Sequence, residues 1–314
     1  MISVIMLTYN REMLVSRAIE SILAQTFSDF EFIIVDNGSS DSSGAIADEY
    51  FAKDSRIKVI HRERGNIGSG RNTGLDAAKG EYVAFIDDDD WTEPDFLEFL
   101  YNLVVSNNAD ISVCGSNKYE HDKVSANGRY VYDEKHIMNT EEAVKNFLLR
   151  WLYNCAMPTK LIKRSMFEKI RFSENGKYDD ISTTYKYFSN AKTVVAYGIP
   201  KYTFYRHPEN NSLAATKHHL LNPVQLTEYL TAYHARTEYI SGILPNLHPL
   251  AQWSEWSYMI SMVEKINRHN LTNCGEPLAL MLNELKQNRD AFLRSPWTQD
   301  FERQWMESYV SDKL

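Results

Sequence analysis

Asp87, Asp88, Asp89 and Asp90 follow the apolar run Tyr82–Ile86 without a spacer. Neighbouring carboxylates repel one another, and an ordinary solvated turn does not need them. Asp87 and Asp89 are separated by one residue, and after a buried strand such a pair can project toward a single ion. Mg²⁺ and Mn²⁺ take hard oxygen ligands of this kind and keep positions open for substrate phosphates. The competing account is a solvated acidic turn, with acids favouring the dipole of the helix expected after Pro94. A calcium EF-hand does not fit, because its glycine and downstream glutamate spacing is absent. Gly65, Gly68, Gly70 and Gly74 match neither the P-loop nor the dinucleotide fingerprint and read as turn and close-packing positions. Cys114, Cys155 and Cys274 are scattered, which gives no zinc or disulfide framework and fits a reducing compartment.

The elements that must position these residues alternate along the first half. Apolar strands are expected at Ser3–Leu7, Phe30–Val35, Ile57–His61, Tyr82–Ile86 and Ile111–Gly115. Helical spacing falls between them, at 14–23, around 45–50, at 69–78 and from Pro94 to about Asn107. Continuous apolar strands alternating with helices imply an α/β fold with a mostly parallel sheet covered on both faces. Ligands bind at the carboxyl ends of such strands, and the polar clusters TYN, DNGSSD and DDDDW sit there. Residues 118–136 read as an irregular or hairpin insertion. Asn139 with Glu142 is a capping-box signature opening a helix through Leu152. Beyond about His219 the pattern is helical, with Trp253, Trp256, Ile260, Val263 and Ile266 on one stripe suited to internal packing or a subunit interface. Two domains are expected, 1–217 and 218–314.

The 314 residues carry 34 Lys and Arg against 42 acids, a net charge of −8, which argues against nucleic acid as a partner. No stretch approaches the ~20 apolar residues of a membrane-spanning helix. The run Ile2–Leu7 lacks the basic leader and length of a signal peptide. The expected location is cytoplasmic. The basic residues Lys160, Lys163, Arg164, Lys169 and Arg171 read as a solvated face, with an anionic lipid or membrane surface as the alternative.

SVIMLTYNRE, QTFSDFEFIIVDNGSSD, GNIGSGRNTGLDAAKGEYVAFIDDDDW and RFSENGKYDD…TFYRHPENNSL together resemble the family 2 glycosyltransferases of the GT-A fold. The likeness spans roughly residues 1–213 and is nearest to bacterial enzymes of capsule, exopolysaccharide or lipopolysaccharide synthesis. It implies a Rossmann-like catalytic domain that binds a nucleotide sugar, followed here by a helical C-terminal region. The family's DxD motif falls on Asp87-Asp88-Asp89. Asp89 and Asp87 would hold Mn²⁺ or Mg²⁺, and Asp88 would lie near the ribose. Thr8 and Tyr9 match residues lining the base pocket, and Asp36 matches the acid that accepts the uracil N3–H. Arg71 matches a basic residue reaching the diphosphate. The family's Glu-Asp pair falls on Asp179 and Asp180, with Asp180 matching the catalytic base. Arg206 and His207 precede a segment that closes over the donor in similar enzymes, so Arg206 would contact the diphosphate and His207 would approach the metal.

The resemblance therefore implies an inverting, metal-dependent transfer from a UDP-sugar to a glycan or lipid-linked saccharide. Peripheral association with the inner membrane face and a homo-oligomer through the C-terminal helices are left open. A non-catalytic sugar-nucleotide-binding partner of another transferase is the alternative. A sugar-nucleotide pyrophosphorylase is disfavoured, because LTYNRE stands where that class carries a glycine-rich loop.

Overall fold

A computed structural model of the chain describes residues 1–120, 123–124, 128–208, 210 and 217–310. It divides into two compact units, Met1–Arg206 and His207–Leu314. The expected boundary at 217/218 falls a short way beyond this division.

The first unit opens with strand–helix alternation: β1 (Ile2–Thr8), α1 (Val15–Leu23), β2 (Phe30–Asp36), α2 (Ser43–Phe51), β3 (Ile57–His61), α3 (Ile67–Ala77), β4 (Tyr82–Asp87), β5 (Trp91–Thr92) and α4 (Phe96–Ser106). It continues through β6 (Ile111–Glu120), β7 (Lys123–Val124), β8 (Lys135–Asn139), α5 (Thr140–Leu149), β9 (Lys160–Lys163), α6 (Asp179–Asn190) and β10 (Thr193–Tyr205). The sheet order is β3-β2-β1-β4-β9-β6-β10-β5. The β3-β2-β1-β4 ladders and β6-β10 are parallel and carry most of the paired residues. Strand β9 runs antiparallel between β4 and β6 and joins the two parallel blocks. The sheet is mostly parallel, as the unbroken apolar strands require.

Burial explains why these runs are strands. Ile2, Val4, Ile5, Met6, Phe32, Ile33, Ile34 and Val35 are all 0% exposed, so both sheet faces are covered. Each such side chain contributes about 1.5–3 kcal/mol relative to exposure. Helix α3 approaches β1 unusually closely. A Cβ at Gly70 would stand 2.2 Å from Leu7 Cδ1, and one at Gly74 would stand 2.5 Å from Ile5 Cγ2. The glycines are the contact surface, which settles their role as packing rather than phosphate positions.

Several boundaries differ from expectation. Strand β6 runs five residues past Gly115 and forms a hairpin with β7, while positions 121–122 and 125–127 lie outside the described residues. The capping box of α5 is present, with Asn139 Oδ1 accepting from Glu142 N–H at 3.0 Å. That helix stops at Leu149 because Arg150 takes the left-handed conformation, φ 56°. Pro94 lies just before the Asp95 N-cap of α4 rather than inside its first turn.

The second unit is helical: α7 (Pro223–Ile243), α8 (His248–Arg268), α9 (Gly275–Gln287), α10 (Arg289–Arg294) and α11 (Asp300–Tyr309). Helix α8 is its centre and packs on α7, α9 and α11. Trp253, Trp256, Ile260, Val263 and Ile266 are buried within the unit, so the stripe is internal packing. The indole N–H groups find partners, Trp253 on Thr298 Oγ1 at 3.0 Å and Trp256 on Glu284 Oε1 at 3.3 Å. Among the described residues, no helix is long and apolar enough to cross a membrane.

Candidate active site

Strand register assembles the site. Thr8 pairs with Asp36, and its neighbour Leu7 pairs with Asp87, so three expected residues end adjacent strands at one sheet edge. The connections leave β1 toward β2 on one side and reach β4 on the other, which opens a crevice at that edge.

Each of the four aspartates has its own anchor. Asp87 Oδ1 accepts from Arg71 Nη2 at 3.4 Å, and the Asp87 N–H donates to Tyr202 Oη at 3.1 Å. Asp88 Oδ2 accepts the Tyr9 N–H at 3.1 Å, and its Oδ1 lies 3.8 Å from Arg11 Nε. The Asp89 carbonyl accepts from Arg17 Nη2 at 2.6 Å. Asp90, 2% exposed, accepts the Tyr202 O–H at 2.7 Å and the Tyr205 N–H at 2.8 Å. The fourth aspartate is therefore a strut that ties the turn to β10, not a ligand-facing group. Crowding leaves a deficit of positive charge nonetheless. Burial, partly offset by Arg71, pushes Asp87 up to about 6, although its side chain is 42% open on the crevice side. Burial and the Asp89 charge push Asp88 up to about 7.

Hard carboxylate oxygens that would gain from added positive charge fit a divalent cation. Among the described residues no three His, Cys, Asp or Glu side chains form a complete metal cage. A metal held here would draw further oxygens from a bound diphosphate, the usual habit of Mg²⁺.

Arg71 is the central cation. It is 7% exposed, and besides Asp87 its Nη1 donates to Asp179 Oδ2 at 2.8 Å. Burial alone would lower its pKa, but Asp179, Asp87 and Asp180 together raise it above the ordinary arginine value. Its expected place was at the diphosphate; here its fork bridges the aspartate turn and the start of α6. Asn72 adds a second clamp, donating to Phe172 O at 3.0 Å and accepting the Phe172 N–H at 3.1 Å. Through these contacts α3 fixes where α6 begins.

The two α6 acids are unlike each other. Asp179 is 5% exposed and committed to Arg71. Asp180 is half-buried; its Oδ1 accepts the Ile181 N–H at 2.8 Å and its Oδ2 takes the Cys155 thiol at 3.6 Å. Burial and the nearby Asp180 push that thiol up to about 12, so it stays a donor. Lys160 contradicts the solvated-face expectation: it is 1% exposed and donates to Ala156 O at 2.5 Å. Burial lowers it to about 8, with the Asp180 charge opposing the shift.

At the other end of the edge, Asp36 is 6% exposed. Burial alone would raise its pKa, but the Ser39 N–H at 3.0 Å and His61 Nδ1 at 3.0 Å outweigh it and hold it below the ordinary value. His61 Nε2 meets Asp48 at 3.0 Å, and these two acids raise the imidazole's pKa. Thr8 is fully buried beneath. The Tyr9 ring carries the Arg64 guanidinium 4.5 Å from its centroid.

Arg206 ends the first unit, its N–H donating to Tyr119 O at 2.8 Å and its guanidinium 5.5 Å from the Phe204 ring. His207 begins the second unit, with its N–H on Asn210 Oδ1 at 2.7 Å. Of the segment that follows it, Glu209 and residues 211–216 lie outside the described residues. Sequence reasoning missed Arg11, Arg17, His61, Arg64, Cys155 and Tyr202. Their partners are far away in the chain, and the only available signal was the need for cations around four carboxylates.

An α/β sheet with a nucleotide-type crevice, an acidic turn at its edge and a second acid pair opposite defines the GT-A class of transferase domain. Residues 3–171 match the family described as Glycosyl transferase family 2, and the chain belongs to that family. Glycosyltransferase GlyG of Streptococcus pneumoniae serotype 4 is 32% identical over 204 residues, 62% of this chain and 67% of that protein. The putative glycosyltransferase EpsH of Bacillus subtilis is 42% identical over 113 residues, but the matched part is only 33% of its length. Among solved structures, S. aureus TarS 1–349 in complex with UDP-GlcNAc superposes with a TM-score of 0.66 at 19% identity, covering 93% of this chain and 89% of that one. The mannosyltransferase PcManGT of Pyrobaculum calidifontis, in complex with GDP-Man and Mn²⁺, gives 0.58 at 16% identity, covering 98% and 84%. These structures share the fold, and the protein is a glycosyltransferase.

Proposed function

We propose that the protein is an inverting, divalent-metal-dependent transferase moving a sugar from a UDP-sugar to a hydroxyl of a glycan or lipid-linked saccharide in bacterial surface polysaccharide synthesis. The observation that supports this reading is the gathering of the site's side chains along one sheet edge, with Arg71 joining Asp87 to Asp179. Asp36, Thr8 and Tyr9 stand at one end, Asp87–Asp89 in the middle, and Asp180 beyond the Arg71–Asp179 pair.

In this reading Asp36 keeps lone pairs for a base N–H, since its two anchors leave acceptor capacity. The Tyr9 ring offers a face for the base, with Arg64 displaced or retained beyond it. Asp87 and Asp89 would hold Mn²⁺ or Mg²⁺, and Asp88 would approach the ribose. Once bound, the cation supplies charge neutralisation on the departing diphosphate. Arg206 adds a fork for the same anion. Asp180 takes the proton from the acceptor hydroxyl as that oxygen attacks the anomeric carbon. The bond from that carbon to the phosphate oxygen breaks, UDP leaves with the electron pair, and the anomeric configuration inverts. Asp179 does not share this task, because its carboxylate neutralises Arg71. The chain works at the cytoplasmic face, where lipid-linked acceptors are presented.

Asp180→Asn tests the assignment. Metal-dependent UDP release should fall by at least about a hundredfold, while UDP-sugar binding stays at the wild-type level. Unchanged turnover in that variant would contradict the base assignment.

A further inference from the structure

Arg17 lies in α1 and takes no part in the reaction described above. Its Nη2 donates to the Asp89 carbonyl at 2.6 Å. Its guanidinium carbon sits 4.2 Å from the Trp91 ring centroid and 4.6 Å from that of Tyr205. Trp91 and Tyr205 both pack on Tyr119, at 5.2 and 5.7 Å, so the two walls of this clamp are themselves braced. Tyr205 also gives its N–H to Asp90 at 2.8 Å. The short turn from β4 to β5 is thus gripped at Asp89 and Asp90 by α1 and β10 together.

A turn carrying four adjacent carboxylates tends to spread, because each ionised group gains by moving away from the next. Arg71 and Arg11 act on side chains of this turn, at Asp87 and Asp88. Arg17 differs, since it holds the peptide itself. The rotamers open to a side chain depend on its own backbone torsions, so holding the Asp89 carbonyl narrows the directions its carboxylate can take. Planar guanidinium suits the place: it donates at its edge while the Trp91 and Tyr205 rings lie against it.

We propose that Arg17 is a positioning residue for the divalent-cation site, orienting Asp89 through its peptide carbonyl. The inference rests on the metal-dependent reading given above. Mn²⁺ binding in the presence of UDP, followed by the electron paramagnetic resonance of free Mn²⁺, tests it apart from turnover. Arg17→Met should raise the Mn²⁺ Kd by about tenfold or more, the size of loss usual for residues that orient metal ligands. Metal-free UDP affinity, measured by calorimetry with EDTA, should not change. Arg17→Lys, which keeps the charge but not the planar stack, should fall between the two. Wild-type Mn²⁺ affinity in folded Arg17→Met would overturn the proposal, whatever that variant's Tm. Should Arg17→Met not fold, Arg17→Lys decides by the same readout, and an unaltered Kd overturns the proposal. Absence of Mn²⁺ binding by the wild-type protein with UDP would instead overturn the metal site itself.

Discussion

Asp180 meets a thiol and its neighbour's backbone N–H, while Asp179 meets a buried arginine, and that difference divides labour between adjacent acids. Cys155 orients the carboxylate from outside α6. Cys155→Ala should lower turnover about three- to tenfold with unchanged acceptor KM, the loss of one weak orienting donor. Cys155→Ser should recover most of it; equal activity in all three proteins would remove the thiol from the account. Arg71→Met tests the bridge more severely. Breaking a buried pair leaves Asp87 and Asp179 uncompensated, at about 3–5 kcal/mol of stability in urea denaturation. The run of aspartates was legible as chemistry, yet Asp90 is a strut and Lys160 is buried. Sequence displays which groups are charged; what neutralises each is decided by residues from sixteen to more than a hundred positions away.

At the scale of elements, the glycine face of α3 is what allows Arg71 and Asn72 to reach their partners. Gly70→Val puts branched carbons where Leu7 already stands, and overpacking of this kind destabilises by about 1–3 kcal/mol. The measurement is the denaturation midpoint, and wild-type stability would contradict the close packing. The early strands and helices were readable because each is a simple apolar period between turn signals. Strand β9 was not. Its four residues carry no period of their own, and it exists because β4 and β6 flank it with unpaired backbone. The end of α5 was also obscure, since a left-handed arginine at its C-cap has no compositional mark.

At the scale of the molecule, the first unit folds around a site that opposes its own stability. Asp87 and Asp88 have folded pKa values raised to about 6 and about 7, so the folded protein binds more protons than the unfolded chain below those values. Stability therefore falls as pH rises from about 4 through 7, where these groups ionise against one another. Asp88→Asn should be more stable than wild type at about pH 8 and no more stable at about pH 4, in paired urea titrations. A constant difference would contradict the crowding. The mostly parallel sheet followed from alternation along the chain; its order, with β9 between two parallel blocks, did not. The helical character of the second unit was legible from about His219, but its role was not, because helical period alone does not say what a unit binds.

The central claim is that this crevice holds a nucleotide sugar on a divalent cation. Thermal unfolding with UDP-sugars, each with Mn²⁺ and with EDTA, tests it most directly. The account predicts that at least one UDP-sugar raises the Tm with Mn²⁺ and that Asp89→Ala abolishes the rise. Stabilisation that is equal in EDTA, or absent with every UDP-sugar, would contradict it.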